Sequence, residues 1–250
     1  MIVNVNIPTS YEEMNEQQLR YAVSLMAVNL PEHTILTRCF LRFAGIILLV
    51  RVGDKQWIKH NKKITCIHTA TILYGANKMD FLLKNQIMVT PFSKIGKLQP
   101  CEPQMQDTTF LQYINAENYY QAYLHTQDET YLLQLLATLY QHPNSKRNTK
   151  EYKTSYLQRK ATKQDKTMAI LWYASIKNYF ANKWQDWFER TDSNSKQAPD
   201  MHAIIQNQLR ILNNGDITKN SDIFESPTWE ALDELNAKAA EYRKLIRKTK

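Results

Sequence analysis

The sequence predicts a mainly α fold, built of helical domain(s) with a small β-hairpin or short sheet near the N-terminus. Three observations lead there. Only five of the 250 residues are glycine, where average usage gives about seventeen. Apolar residues recur at three- and four-residue spacing through most of the second half. Strand-like apolar runs are confined to the first ninety residues. Glycine scarcity also disfavours Rossmann and P-loop nucleotide sites, propellers and Greek-key sandwiches. A hydrophobic fraction of 43%, with fourteen tyrosines and five tryptophans, supplies a sizeable core and argues against disorder.

Taken in order, residues 2–7 alternate apolar and polar as a short strand does, and Pro8 ends it. Ser10 and Glu13 have capping-box spacing, so a helix is expected over 11–28, burying Leu19, Ala22, Val23 and Met26. Pro31 suits the first turn of a second helix that stops at Gly45. Residues 46–59 read as a β-hairpin turning at Gly53-Asp54, with a first strand (IILLVRV) apolar enough that at least its base should be buried. Lys59, His60, Lys62 and Lys63 make a basic tip, and a helix is expected from about Thr65 to Leu73. Pro91, Gly96, Pro100 and Pro103 mark residues 86–106 as an extended connection with a short strand at 86–90.

The second half is more plainly helical. Helices are expected over 108–126, 129–141, 167–190 and 201–212, with Asn214-Gly215 as a stop. The 167–190 segment places Trp172, Ile176, Tyr179, Phe180, Trp184, Trp187 and Phe188 at helical spacing, more simply a core than a cofactor pocket. Ser226-Pro227 opens a last helix carrying Trp229, Leu232, Leu235, Ala239, Tyr242 and Ile246. The expected organisation is an α+β part at 1–104, a helical part at 105–190, and a linker with amphipathic helices at 191–250.

Net charge is +8. Residues 105–141 hold four acids and no Lys or Arg, whereas 142–190 hold eleven Lys/Arg against four acids. Within 142–166, read as a long loop or hairpin insertion, Lys146, Arg147, Lys150, Lys153, Arg159, Lys160, Lys163 and Lys166 are interleaved with Tyr152 and Tyr156. Cations neutralise phosphates and tyrosines stack on bases, so this block reads as a polyanion- or partner-binding candidate. Self-complementary assembly into an oligomer and an ordinary solvated loop are the alternatives. The amphipathic last helix is a candidate for docking on a partner through Trp229, Leu232, Leu235 and Tyr242.

Cys39, Cys66 and Cys101 are too few and too scattered for a disulfide framework, which points to a reducing compartment. The longest apolar run, Phe43 to Val50, is too short to span a bilayer, and the N-terminus lacks a basic signal-peptide region. No zinc spacing, Walker motif, nucleophile elbow or calcium loop is present, so no catalytic residue, metal or cofactor is expected.

Four segments carry a resemblance: IPTSYEEMNEQQLRYAVSLM, YLLQLLATLYQ, AILWYASIKNYFANKWQDWFE and LNNGDITKNSDIFESPTWEALDELNAKAAEYRKL. Together they resemble a group of proteins in tailed phages and prophages of Bacteroides-type bacteria, associated with genes for virion and particularly tail morphogenesis. The resemblance implies a non-enzymatic structural or assembly protein, such as a tail assembly chaperone or minor virion component. Its implied partners are other phage structural proteins, including the tape-measure protein. Its implied location is the host cytoplasm or the assembled virion. Nucleic-acid binding by a mobile-element protein, through the 146–166 block, is the alternative function.

Overall fold

A computed structural model of the chain describes residues 6–28, 30–84, 91–188 and 200–249. The strand expected at 2–7 falls mainly outside them, as do the strand at 86–90 and the linker at 191–199. The fold is mainly α, with a small antiparallel sheet near the N-terminus. The chain divides into two compact units, residues 1–92 and 93–250. Residues 200–249 fall within the second unit. Among the described residues no helix is long and apolar enough to cross a membrane.

In the first unit α1 spans Glu16–Met26 and α2 spans Glu32–Phe43. The first helix starts later than Ser10 and Glu13 predict. Glu13 accepts from the Thr9 amide and hydroxyl, at 2.7 and 3.0 Å. The capping box is instead formed by Asn15 and Gln18. Tyr11 therefore lies outside the helix, buried, with its hydroxyl donating to the Leu82 carbonyl at 2.7 Å. The sheet follows: β1 Ile47–Val52, β2 Lys55–His60 and β3 Lys63–His68, in that spatial order. α3, Thr69–Asn77, packs on α2. A Cβ at Gly75 would stand 2.2 Å from the Phe40 ring, so only glycine permits that approach.

The third strand is a correction, because residues 65–68 were expected to be helical. Two residues, Asn61 and Lys62, connect His60 to Lys63, and both have positive φ (46° and 65°), as a type I′ hairpin turn requires.

The second unit opens with β4, Gln99–Pro100, which pairs with β5, Tyr140–Gln141. Its helices are α4 Phe110–Thr126, α5 Glu129–Leu139, α6 Lys150–Lys160, α7 Lys163–Lys183, α8 Met201–Leu212, α9 Asn220–Glu225 and α10 Thr228–Thr249. Side-chain caps explain the starts: Thr109 caps α4, Asp128 α5, Thr149 α6 and Thr162 α7. The core is the aromatic stripe of α7, with Trp172, Tyr173, Ile176, Phe180 and Trp184 all essentially inaccessible. Trp184 meets Trp229 edge-on at 5.5 Å.

The basic 142–166 segment is not a long loop. A 3₁₀ turn at Ser145–Arg147 leads into α6, which packs on α5 through buried Leu157. α7 begins at Lys163, a turn earlier than its apolar stripe indicates, because Thr162 and Asp165 form a capping box.

Candidate interaction surface

The sheet of the first unit exposes what its sequence would be expected to hide. All six residues of β1 are exposed, and five of them are apolar. The expectation that at least the base of the 46–52 strand is buried holds at Ile46, and Ile47–Val52 beyond it are exposed. Exposure is 59% at Ile47, 54% at Val50 and 62% at Val52.

Register identifies which side chains share a face. Ile47 stands opposite Lys59 and Val52 opposite Lys55, while Leu48 pairs with buried Ile58. Between these pairs the ladder shifts, so that Leu49 and Val50 together face the single Trp57. Across β2 and β3, Trp57 pairs with Cys66, Lys59 with Ile64 and Lys55 with His68. β2 alternates exposed and buried, hiding Gln56 and Ile58 and leaving Lys55, Trp57 and Lys59 outward. The outer face thus carries Ile47, Val52, Trp57 and Ile64, with Leu49 and Val50 at the bulge. Trp57 is 42% exposed and Ile64 62%. An exposed face this rich in large apolar side chains marks a contact site.

Its rim is basic. Residues 47–68 include Arg51, Lys55, Lys59, Lys62 and Lys63 against one acid, Asp54. Asp54 lies 3.0 Å from His68 Nδ1. The hairpin turn Gly53-Asp54 has Gly53 at φ +62°, the position that a type II′ turn gives to glycine.

The basic block of the second unit is dispersed by α6. Lys153 is buried, which holds its ammonium pKa below the ordinary lysine value, with nearby Cys101 opposing the shift. It is not available to a polyanion. Lys150 is engaged with the Tyr119 hydroxyl, Arg147 lies over the Tyr152 ring, and Lys166 pairs with Glu129 at 2.5 Å. Lys146 and Arg147 stand before the start of α6, while Arg159, Lys160 and Lys163 stand at and beyond its end, all exposed. The helix is about 16 Å long, so two basic clusters replace the single stretch read from the sequence.

The C-terminal docking set also divides. Leu232 and Leu235 are fully buried in the second unit's own core. Trp229 packs against Trp184 and donates its indole N–H to the Gln104 carbonyl at 2.9 Å. These three serve folding. Tyr242 alone remains outward, 66% exposed, near exposed Leu245 and Ile246.

One polar cluster converges in the second unit. Glu117 accepts from Tyr173 Oη at 3.0 Å, Gln121 Nε2 at 2.7 Å and Lys177 Nζ at 2.5 Å. It borders a cavity of about 380 Å³ shared with Phe180 and Trp187. Burial, reinforced by Glu117, raises Tyr113 and Tyr173 well above the usual tyrosine pKa, so both stay neutral. The carboxylate's donors come from α4 and α7 themselves, which makes the cluster a tie between the two helices. Among the described residues no group of three His, Cys, Asp or Glu side chains forms a metal site.

Comparison with protein-family models, with curated proteins and with solved structures found no match.

Proposed function

We propose that this chain is a non-enzymatic phage structural or assembly protein that acts by protein–protein contact through the outer face of its β1–β3 sheet. The observation that carries the reading is the exposure of Ile47, Leu49, Val50, Val52, Trp57 and Ile64 together on one three-stranded sheet. Covering such a face recovers roughly 25 cal/mol per Å² of apolar surface. The phage setting comes from the sequence resemblance, and within it the partner is another virion or tail component, the tape-measure protein foremost.

The test is co-purification with the products of neighbouring phage structural genes, wild type beside Leu49→Asp/Val50→Asp. Both substituted positions are exposed, so the variant keeps its far-UV circular dichroism. Cys66 gives a second readout. It is half-buried opposite Trp57, whereas Cys39 and Cys101 are buried and burial raises both thiols, Cys39 to about 12. A bound partner slows alkylation of Cys66 alone. Binding of no structural protein, or equal binding by the variant, overturns the reading.

A second reading rests on the exposed cations flanking α6. Nucleic-acid binding would fall steeply with salt. Lys146→Ala/Arg147→Ala/Lys160→Ala/Lys163→Ala would flatten that dependence. Absence of DNA binding by the wild type at low salt ends this reading.

A further inference from the structure

Resting on the sheet face as the contact surface, we propose that this face receives an amphipathic helix of another protein, one whose apolar stripe is bordered on both sides by Asp or Glu.

Two of the sheet's cations lie inside the apolar face. Trp57 occupies the middle of the central strand, with Lys55 and Lys59 two residues away on either side, on the same outer face. Strand rise puts each lysine about 7 Å from Trp57 along β2. β1 sets Ile47 beside Lys59, Val52 beside Lys55, and the bulge pair Leu49 and Val50 beside Trp57. β3 sets Ile64 beside Lys59 and half-buried Cys66 beside Trp57. An element that covers Trp57 therefore meets two ammonium groups, one on each side. Among the described residues no carboxylate lies in ion-pair range of either lysine.

This arrangement selects a helix. A sheet face is covered by helices or by another sheet. In a covering strand the side chains alternate, so apolar residues turned inward leave the polar ones on the far side. Acids there face away from Lys55 and Lys59. A helix instead carries charged positions along both borders of its apolar stripe. With side chains it is about 10–12 Å across. Seated on Trp57 and crossing the strands, it brings those borders to the two lysines. Three strands span about 10 Å, the rise from position i to i+7 of a helix. One stripe thus reaches the Leu49–Val50 pair, Trp57 and Cys66 in turn. A second copy fits less well. Packed face to face, two copies enclose their lysines with no acid between them. The exposed stripe of α10, Tyr242, Leu245 and Ile246, has Glu241 on one border and Arg243 on the other, so it meets one lysine and not both. Entry into a bilayer carries both ammonium groups inward beside Trp57, which is costly.

The test uses the full chain and four fluorescein-labelled peptides of about twenty residues, long enough for a helix. The first has leucines at i, i+3, i+4 and i+7 with glutamates along both borders. The second replaces those glutamates with lysines, the third disperses the leucines around the helix, and the fourth alternates Val and Glu as a strand. Fluorescence anisotropy should show the first binding at least about tenfold tighter than each of the others. It alone should slow alkylation of Cys66, which locates it on this face. Lys55→Glu/Lys59→Glu, at two exposed positions, should turn the preference to the lysine-bordered peptide while leaving circular dichroism unchanged. Equal binding of the glutamate- and lysine-bordered peptides overturns the proposal. So does equal or tighter binding of the dispersed or strand peptide, unchanged Cys66 alkylation, or no binding at all. A dimer in light scattering that Trp57→Lys abolishes overturns it by making a second copy the occupant. Binding to phosphatidylserine vesicles without peptide binding overturns it likewise. If phage proteins co-purify but the helical peptides fail, only the helical partner falls. If the first peptide succeeds and co-purification fails, the helical partner stands and the phage partner falls.

Discussion

The hydroxyl oxygens of Thr108 and Thr228, 120 residues apart in sequence, lie 2.8 Å from one another in a buried pair. Around them the Thr228 amide donates to the Thr108 carbonyl at 2.9 Å, and the Phe110 amide donates to the Ser226 carbonyl at 2.8 Å. The Thr109 and Pro227 bridge completes a small antiparallel clamp. It joins the N-terminal ends of α4 and α10, whose first-turn amides have no helical partners of their own. Thr228→Val removes one buried hydroxyl at constant shape and should cost about 1–2 kcal/mol. Thr108→Val leaves the Met105 carbonyl without its 2.8 Å donor and should cost a similar amount. The double variant should cost less than the sum, because the pair shares one interaction. Urea melts of the four proteins measure this coupling.

Alkaline pH should unfold the second unit through its buried tyrosines. Tyr113 and Tyr173 have native pKa values raised well above the usual one, first by burial and then by Glu117. In the unfolded chain each ionises near 10. A raised native pKa means the stabilisation is complete below the unfolded value and is lost as pH climbs from there toward the native one. Each tyrosine should steepen that loss by about 1.4 kcal/mol per pH unit above roughly pH 10. Tyr113→Phe/Tyr173→Phe should flatten the stability curve in that range. Phenolate absorbance should show both tyrosines silent until circular dichroism reports unfolding.

Local rules of the sequence translated well where a helix was long or its stop marked. α2, α8 and the body of α7 lie within a few residues of their apolar periodicity, and after the α8 cap Asn213 the chain turns away through Asn214 and Gly215, both at positive φ (53° and 87°). Two of the misses have separate local causes. Glu13 was taken by Thr9, which passed the α1 cap to Asn15 and Gln18. Polar content hid α6, whose buried side is little more than Leu157 and the stem of Lys153. Its available signal was Thr149, a side-chain cap.

The interaction surface was legible only in part. IILLVRV announced a strand, but the rule that apolar strands are buried pointed inward. Exposure depends on what covers a face, and that is a tertiary fact. The basic block looked like one site because sequence shows proximity along the chain. α6 turns successive residues through about 100°, sending Lys153 inward and its neighbours outward.

Leu232 and Tyr242 lie on one helix but should respond oppositely to truncation. Leu232→Ala empties a fully buried site and should cost about 2–5 kcal/mol, with Leu235→Ala alike. Tyr242→Ala, at an exposed position, should stay within about 0.5 kcal/mol. Thermal melts separate the two. A docking role for the end of α10 would then appear as partner affinity lost in Tyr242→Ala at unchanged midpoint.

Lys62 holds the β2–β3 turn at a price in backbone strain. Both turn residues sit in the left-handed region, Asn61 at 46° and Lys62 at 65°. Asparagine tolerates that region, but a lysine Cβ crowds the following carbonyl there, at a cost of about 1–2 kcal/mol. Glycine avoids the clash and gives back part of the gain as extra freedom in the unfolded chain. Lys62→Gly should therefore stabilise the hairpin by about 0.5–1 kcal/mol. Hydrogen exchange is the suited measurement, because it reads opening of β2 and β3 directly. Amides of Ile58 and Thr65, a hydrogen-bonded pair of the β2–β3 ladder, should exchange more slowly in Lys62→Gly, and those of α7 should not change. Lys62→Ala keeps the Cβ while removing the charge, so it should leave exchange near the wild-type rate. Equal slowing by both substitutions would trace the effect to relieved charge repulsion in the basic tip, against the strain argument.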